Sequence, residues 1–257
     1  MSNILAIARK ELKSYFASPI AYIVIGVFAL LYGFFFTVML SFFVRESMQM
    51  GQFGMGGPQS MNLNQMLIRP LLQDVAIIVL FMMPAITMRT YAEEKRSGTI
   101  ELLLTSPLTD FQIIMGKFLG ALAFYCVMLA VSMIHIAILF IYGRPELKVV
   151  LSAYLGLVLL GASFISLGLL ISSLTKNQIV AAVVTFGVFL FLWVINWIAS
   201  FSGPTMDTLA NYLSIIQQYD DFGKGVLDTS HIIYYLSFIT FGLFLTAKAV
   251  DSERWRG

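Results

Sequence analysis

Charge is scarce in this chain of 257 residues: 12% of the residues are charged, 59% are hydrophobic, and the mean hydropathy is +0.86. Soluble globular domains usually contain about a quarter charged residues and somewhat under half apolar ones. Water would not keep such a chain dispersed, so lipid must be the solvent for most of it. The net charge of +2 is too small to suggest a nucleic-acid partner. The composition indicates an integral membrane protein.

Cysteine is almost absent, since Cys126 stands alone. A single cysteine excludes an intrachain disulfide and a cysteine-cluster metal site, and its apolar surroundings predict a buried, inert thiol. The chain also lacks the pattern G-x-x-x-x-G-K-[ST], whose backbone amides and lysine hold nucleotide phosphates. The segment DFGKGV at Asp221–Val226 has none of the flanking elements and indicates a glycine-rich turn. We therefore expect neither ATP hydrolysis by this chain nor a cofactor or metal bound to it.

Long apolar runs dominate what is present. A helix needs about 20 apolar residues to cross the hydrocarbon core. Five runs qualify without a formal charge, and a sixth, Val75–Met88, reaches that length if Pro70–Asp74 join its outer end. The predicted fold class is an all-α membrane protein, one transmembrane domain over residues 1–257. Its six spans are predicted at about 20–44, 70–90, 118–143, 149–175, 179–201 and 229–248.

The basic residues of the loops predict the orientation, because Lys and Arg concentrate on the cytoplasmic side. With the N-terminus inside, eleven basic residues lie on the inner side and five on the outer side. This distribution predicts that both termini are cytoplasmic.

The stretch before the first span has the pattern of an amphipathic helix. ILAIARKELKSYF places Ile4, Ala8, Leu12 and Tyr15 on one helical face, with basic residues elsewhere. We predict an interfacial helix over about residues 1–18. The dipeptide Ser18-Pro19 then provides an N-cap and a first-turn proline for span one.

Four residues in the spans are candidates for a pathway or gating role. Ionisable groups within a membrane are functional hypotheses by default, but His135 has no second ligand nearby, which favours a packed or hydrogen-bonded histidine. Asn196 is better explained as a hydrogen-bonding contact between helices. Asp74 is either an interface charge or a group on a substrate path, and Pro84 should bend span two. The methionine-rich outer loop could suggest Cu(I), but its irregular spacing favours an adaptable loop.

One segment, YAEEKRSGTIELLLTSPLTD from Tyr91 to Asp110, is dense in mixed charge. We predict that Gly98 is the N-cap of a helix of about two turns, ended by Ser106-Pro107. Thr109 and Gln112 then form a capping box that starts the helix of span three. The consecutive leucines are compatible with an interfacial turn, but the capping at both ends favours a helix that docks into a cytoplasmic partner.

The stretch EEKRSGTIELLLTSPLTDFQIIMGKFLG resembles the cytoplasmic coupling region of ABC-2 type transporter permeases. RKELKSYFASPIAYIV near the start and YDDFGKGVLDTSHIIYYLSF near the end resemble the same family, so the likeness covers essentially the whole chain. It is greatest to the branch of gliding-motility-associated permeases and the permease of nitrous-oxide-reductase maturation. The positions that fall on the coupling motif are Glu93, Glu94, Arg96, Gly98, Thr99, Glu101 and Leu102.

The resemblance implies a permease of the bacterial inner membrane, and we expect an exporter. It implies a second permease subunit, identical or related, and a cytoplasmic ATPase subunit that binds ATP and Mg²⁺, so this chain is expected not to be an enzyme. An alternative is a membrane scaffold that anchors a cytoplasmic protein through the same segment without transport. An intramembrane enzyme is least favoured, because the long runs from Val149 to Phe201 offer no ionisable pair, with only Lys176 in the turn between them.

Overall fold

The computed structural model describes residues 2–52, 62–101, 107–143, 145–199 and 211–254. Throughout these ranges the regular structure is helical, as the sequence predicts. A π-helical turn, Asn64–Ile68, precedes the third helix. The helices in chain order are α1 Ser2–Ala17, α2 Pro19–Gln52, α3 Arg69–Thr87, α4 Ala92–Ser97, α5 Asp110–Tyr142, α6 Leu147–Ser173, α7 Gln178–Ala199, α8 Gln217–Gly223 and α9 Thr229–Arg254.

In the described ranges six helices are long and apolar enough to cross a membrane, which confirms the predicted number of spans. They are α2, α3 with its flanking turns, α5, α6, α7 and α9. Helices suit this environment because every backbone polar group is paired within the segment. α2 continues through Gln52, so the first six residues of the predicted outer loop, 47–52, are helical.

Helix α6 is the centre of the bundle, packed against α3, α5, α7, α8 and α9. Small residues make this possible. A Cβ on Gly156 would lie 2.7 Å from the Cβ of Phe222, and one on Gly161 would overlap the ring of Tyr125. Close backbone approach at small residues is the usual basis of helix packing in membranes.

Proline and side-chain capping hydrogen bonds determine where two of the helices begin. Pro19 is the first residue of α2, and Ser18 Oγ accepts a hydrogen bond from the amide of Ile20. The predicted capping box is confirmed, since Thr109 Oγ1 accepts from the amide of Gln112 and the Gln112 side chain accepts from the amide of Thr109. The prediction for Cys126 is wrong: its side chain is exposed on the outer surface of α5, because apolar positions of a membrane helix are as often lipid-facing as buried.

The bundle has two ends. We call the end where α1, α4 and the last turns of α9 meet the termini face, and the end that carries α8 the opposite face. Residues 53–61 of the methionine-rich outer loop, residues 102–106 and residues 200–210 lie outside the described part of the chain.

Candidate coupling site

The predicted docking segment begins with α4. Glu93 and Arg96 project from this short helix with exposed side chains, whereas Lys95 is buried. Gly98 ends α4 in the left-handed conformation, with φ 73°. The predicted N-cap role of Gly98 is therefore wrong: glycine closes the preceding helix, because it adopts positive φ without a Cβ penalty.

Helical backbone resumes at Ile100, which is buried, and Glu101, which is exposed. Thr99 is exposed, and its hydroxyl lies 2.9 Å from that of Ser97. Leu102 and the rest of the predicted two-turn helix lie outside the described residues.

A buried polar cluster lies behind this segment, centred on the ammonium group of Lys117. We call it the Lys117 cluster, and it consists of Lys117, Glu11, Glu94 and the carbonyl of Thr90. The side chain of Lys117 is 1% exposed. Its Nζ donates to Glu94 Oε1 at 2.7 Å, to the Thr90 carbonyl at 2.8 Å and to Glu11 Oε1 at 3.2 Å. The Tyr91 ring lies 5.0 Å from the same nitrogen. One cation therefore joins α1, α4, α5 and the turn after α3.

A buried charge is tolerated only when it is paired and hydrogen-bonded. Two carboxylates around one ammonium leave an excess negative charge, and Lys10 lies within 3.6 Å of Glu11 and 3.9 Å of Glu94 to balance it. With Lys10 included, the cluster is electrically neutral. Its internal contacts specify the position of α4 relative to α1 and α5.

Two further ion pairs hold α4 and the turn before it. The buried Lys95 side chain contacts Glu253 of α9 at 2.6 Å. Arg89 contacts Glu93 at 2.9 Å and donates to Ser18 Oγ at 2.9 Å. The coupling motif is thereby tied to the start of α2 and the end of α9.

A single hydroxyl attaches the same turn to the central helix. Ser172 Oγ of α6 accepts from the amides of Tyr91 and Ala92 and donates to the carbonyl of Met88, each at 3.1 Å. The backbone leading into α4 therefore has its polar groups satisfied by α6.

Helix α1 packs lengthwise on α5. A Cβ on Gly120 would lie 2.6 Å from the Cβ of Glu11, and one on Gly116 would overlap Ile7. Gly116-x-x-x-Gly120 is thus the contact surface for α1. The ring of Tyr15 stacks on Phe124 at 4.9 Å. The helical prediction for this segment is confirmed, while its location in the membrane interface stays a prediction.

The opposite face has its own polar cluster, which joins α8 to α3. Asp220 accepts from Arg69 at 2.7 Å and from Gln73 at 2.8 Å, and Lys224 contacts Asp220 at 2.8 Å. Partial burial raises the pKa of Asp220, but the hydrogen bonds from Lys224 and Arg69 outweigh it, so the net pKa is lowered. Hydrogen bonds from Lys224 and His231 likewise lower the pKa of Asp221.

The three candidates within the spans whose side chains are described, His135, Pro84 and Asp74, do not form one polar site. His135 packs edge-on against Tyr32 and Phe36, with ring centroids 5.1 and 5.0 Å away. Pro84 lies inside α3, three residues before its last residue, Thr87. Asp74 lies on a partly exposed side of α3. Asn196 is within α7, but its side chain is outside the described part. In the described ranges no group of three or more His, Cys, Asp or Glu side chains could hold a metal.

The residues that hold the coupling motif in place, Lys117 and Glu11, were not among the predicted site residues. Lys117 and Glu11 were counted only as loop charges, because the apolar run of span three starts one residue after Lys117. A signal was present: Glu11 lies on the otherwise apolar side of α1, and Lys117 directly follows Gly116. A charge next to a small-residue motif points to a paired group at a helix contact.

Comparisons with known proteins agree with this geometry. The sequence matches the family described as ABC-2 family transporter protein over residues 5–250. It is 32% identical over 157 residues to "Probable multidrug ABC transporter permease YbhR" of Escherichia coli strain K12 and to the protein of the same name from E. coli O157:H7. The match covers 59% of this chain and 41% of each relative.

A bundle of six apolar helices, in the described part of the chain, defines a polytopic membrane protein. The chain belongs to the ABC-2 transporter family. It is a multi-pass permease subunit of an ABC transporter of the inner membrane.

Proposed function

We propose that this permease moves its substrate with energy from ATP hydrolysed on a separate cytoplasmic subunit, which docks against α4 and the segment after Gly98. The carrying observation is the Lys117 cluster. A segment with exposed Glu93 and Arg96 is held from behind by buried ion pairs to three other helices. A loop that only connects two spans has no need of such anchoring.

The proposed orientation places the termini face in the cytoplasm. The support is the excess of basic residues on that side, eleven against five in the sequence. ATP and Mg²⁺ would bind the partner subunit, and this chain would supply no catalytic group.

The proposed mechanism is a rigid push. Closure of the ATPase around nucleotide displaces the docked segment, and the Lys117 cluster transmits the displacement to α5 and α1. The Ser172 hydroxyl transmits it to α6. ATP binding supplies the differential free energy that any such change of state requires.

A second permease subunit, identical or related, would complete the transport path. The support is the apolar surface that α7 and α9 expose, including Val183, Phe191 and Phe241. We further propose export as the direction, supported by the name of the E. coli relatives, probable multidrug permeases.

Site-specific crosslinking in cells of the native host tests the docking. A photoreactive benzoylphenylalanine replaces exposed Arg96 on the termini face, and the same replacement at exposed Asp228 on the opposite face is the matched control. We expect ultraviolet light to join the Arg96 position, but not the Asp228 position, to a subunit with a Walker motif. Capture of a protein without a nucleotide-binding motif from the Arg96 position would favour the scaffold alternative.

A further inference from the structure

Asp74, a carboxylate without a partner in the described part of the chain, lies within the candidate membrane span Asn64–Ser97. The 19 residues of α3 extend about 28 Å, close to the hydrocarbon thickness of about 30 Å. Asp74 lies about 8 Å along the helix from Arg69 and about 20 Å from Thr87. Its Oδ2 atom is buried and makes no hydrogen bond within the described part of the chain.

Asp74 belongs to the one side of α3 that the bundle leaves open. This side, which we call the Asp74 stripe, consists of Pro70, Asp74, Ile77 and Phe81, spaced by three or four residues and exposed or half-buried. Most of the remaining side chains of α3 are fully buried. Both α2 and α7 pack on α3, and Phe81 of the stripe contacts Phe186 of α7.

Lipid acyl chains are an unfavourable environment for the side of α3 that carries Asp74. A charged side chain within a span almost always faces a bundle interior or a water-filled cavity. The aspartate side chain is too short to extend over the about 8 Å of helix between Asp74 and Arg69. The Asp74 stripe therefore faces something other than lipid.

The apolar runs of a second copy of the chain would not supply a positive charge at this depth. The apolar runs of the other five spans contain no lysine or arginine. The nearest basic residue on α3 itself, Arg69, is committed to Asp220 at 2.7 Å. Asp74 Oδ2 thus has no basic partner in the described part of the chain, and a cation from outside the protein is complementary to it.

The rest of the stripe indicates what kind of molecule carries that cation. Phe81 lies about 10 Å along the helix from Asp74, is 51% exposed, and contacts Phe186 of α7 with ring centroids 5.2 Å apart. Aromatic faces bind apolar groups and cations alike. A carboxylate followed by an apolar, aromatic surface is complementary to an amphipathic cation.

We propose that the Asp74 stripe is a substrate-binding site of this permease, and that its substrates are small amphipathic cations, with the positive group at Asp74 and the apolar body towards Phe81. The proposal rests on the proposed function, because it assigns the substrate class of the same transporter.

The first test is binding of a lipophilic cation to the purified full chain in lipid nanodiscs. Tetraphenylphosphonium is the probe, and tetraphenylborate, of nearly the same shape but opposite charge, controls for apolar binding. Asp74→Asn is compared with Asp74→Glu and with Asp228→Asn, a control at an exposed carboxylate whose Oδ1 accepts from the amide of Ser230, a role that asparagine keeps.

We expect Asp74→Asn to weaken tetraphenylphosphonium binding about tenfold or more, since it removes a poorly hydrated charge partner. Asp74→Glu and Asp228→Asn should bind as the wild type does, and tetraphenylborate affinity should not fall in any variant. Unchanged cation binding by Asp74→Asn, or equal losses for both probes, would overturn the proposal.

A second measurement needs no variant and so does not depend on the folding of Asp74→Asn. Carbodiimides modify carboxyl groups in membranes, and mass spectrometry of the wild type reports modification at Asp74. Tetraphenylphosphonium should protect Asp74, whereas tetraphenylborate should not. Absence of protection at saturating probe would contradict the site.

ATP-dependent uptake of the same cation into inverted native-host vesicles separates this proposal from the proposed function. Uptake that does not depend on ATP, with Asp74-dependent binding intact, would overturn the proposed function alone. ATP-dependent transport of another substrate, with binding that is indifferent to Asp74, would overturn the substrate site alone.

Discussion

Removing the positive charge of Lys117 should destabilise the protein more than any other single change at the termini face. Lys117→Met keeps most of the side-chain volume but leaves Glu11 and Glu94 without their shared ammonium. Both carboxylates contact one nitrogen, at 3.2 and 2.7 Å, so their oxygens lie within about 6 Å of each other. Their side chains are 13% and 17% exposed, and water therefore screens them poorly.

The magnitude follows from this geometry. Breaking a buried ion pair by removing one partner costs about 3–5 kcal/mol. Two like charges about 5 Å apart repel by about 3 kcal/mol at an effective dielectric constant of about 20. Much of the cost is thus repulsion, which a second substitution can remove. We expect Lys117→Met to lower the melting temperature by about 6–20 °C.

The assay is thermal unfolding of the purified chain in nanodiscs. Lys117→Met/Glu94→Gln should be more stable than Lys117→Met alone, and Lys117→Arg should stay near the wild type. A single mutant as stable as the wild type, or a double mutant that is worse than the single, would refute the assignment of Lys117 as the residue that positions α4.

Three further predictions concern other parts of the structure. Lys95→Met should destabilise the chain and Lys95→Met/Glu253→Gln should recover part of the loss, because an unpaired carboxylate is removed; the same unfolding assay measures both. Gly161→Leu should unfold or misassemble the bundle, whereas Gly26→Ala, where a Cβ meets nothing within 4 Å, should be neutral in size-exclusion profiles. The pKa of Asp220 is lowered from 3.8, so its contribution to stability is present above that pH and is lost as the pH falls through the folded-state pKa. The melting temperature should therefore decline only below about pH 4. The decline should be less steep in Asp220→Asn.

The six spans and the capping box were predictable from the sequence, because hydropathy and capping act over short distances. Residues that act through partners far away in the sequence were not predictable. The Lys117 cluster joins Glu11 to a lysine 106 positions later, and no local pattern specifies such a pair. Gly98 was assigned to the wrong helix because a glycine between two helices can end one or begin the other, and only its positive φ distinguishes them.

The central claim is that a separate ATPase drives this permease through the segment after α4. The most direct measurement is purification of the intact chain from native membranes in mild detergent, followed by assay of MgATP hydrolysis by whatever accompanies it. We expect a Walker-motif subunit to co-purify in stoichiometric amount. MgATP hydrolysis should elute in the same fractions as that subunit. An intact, folded permease that carries no ATPase would contradict the account.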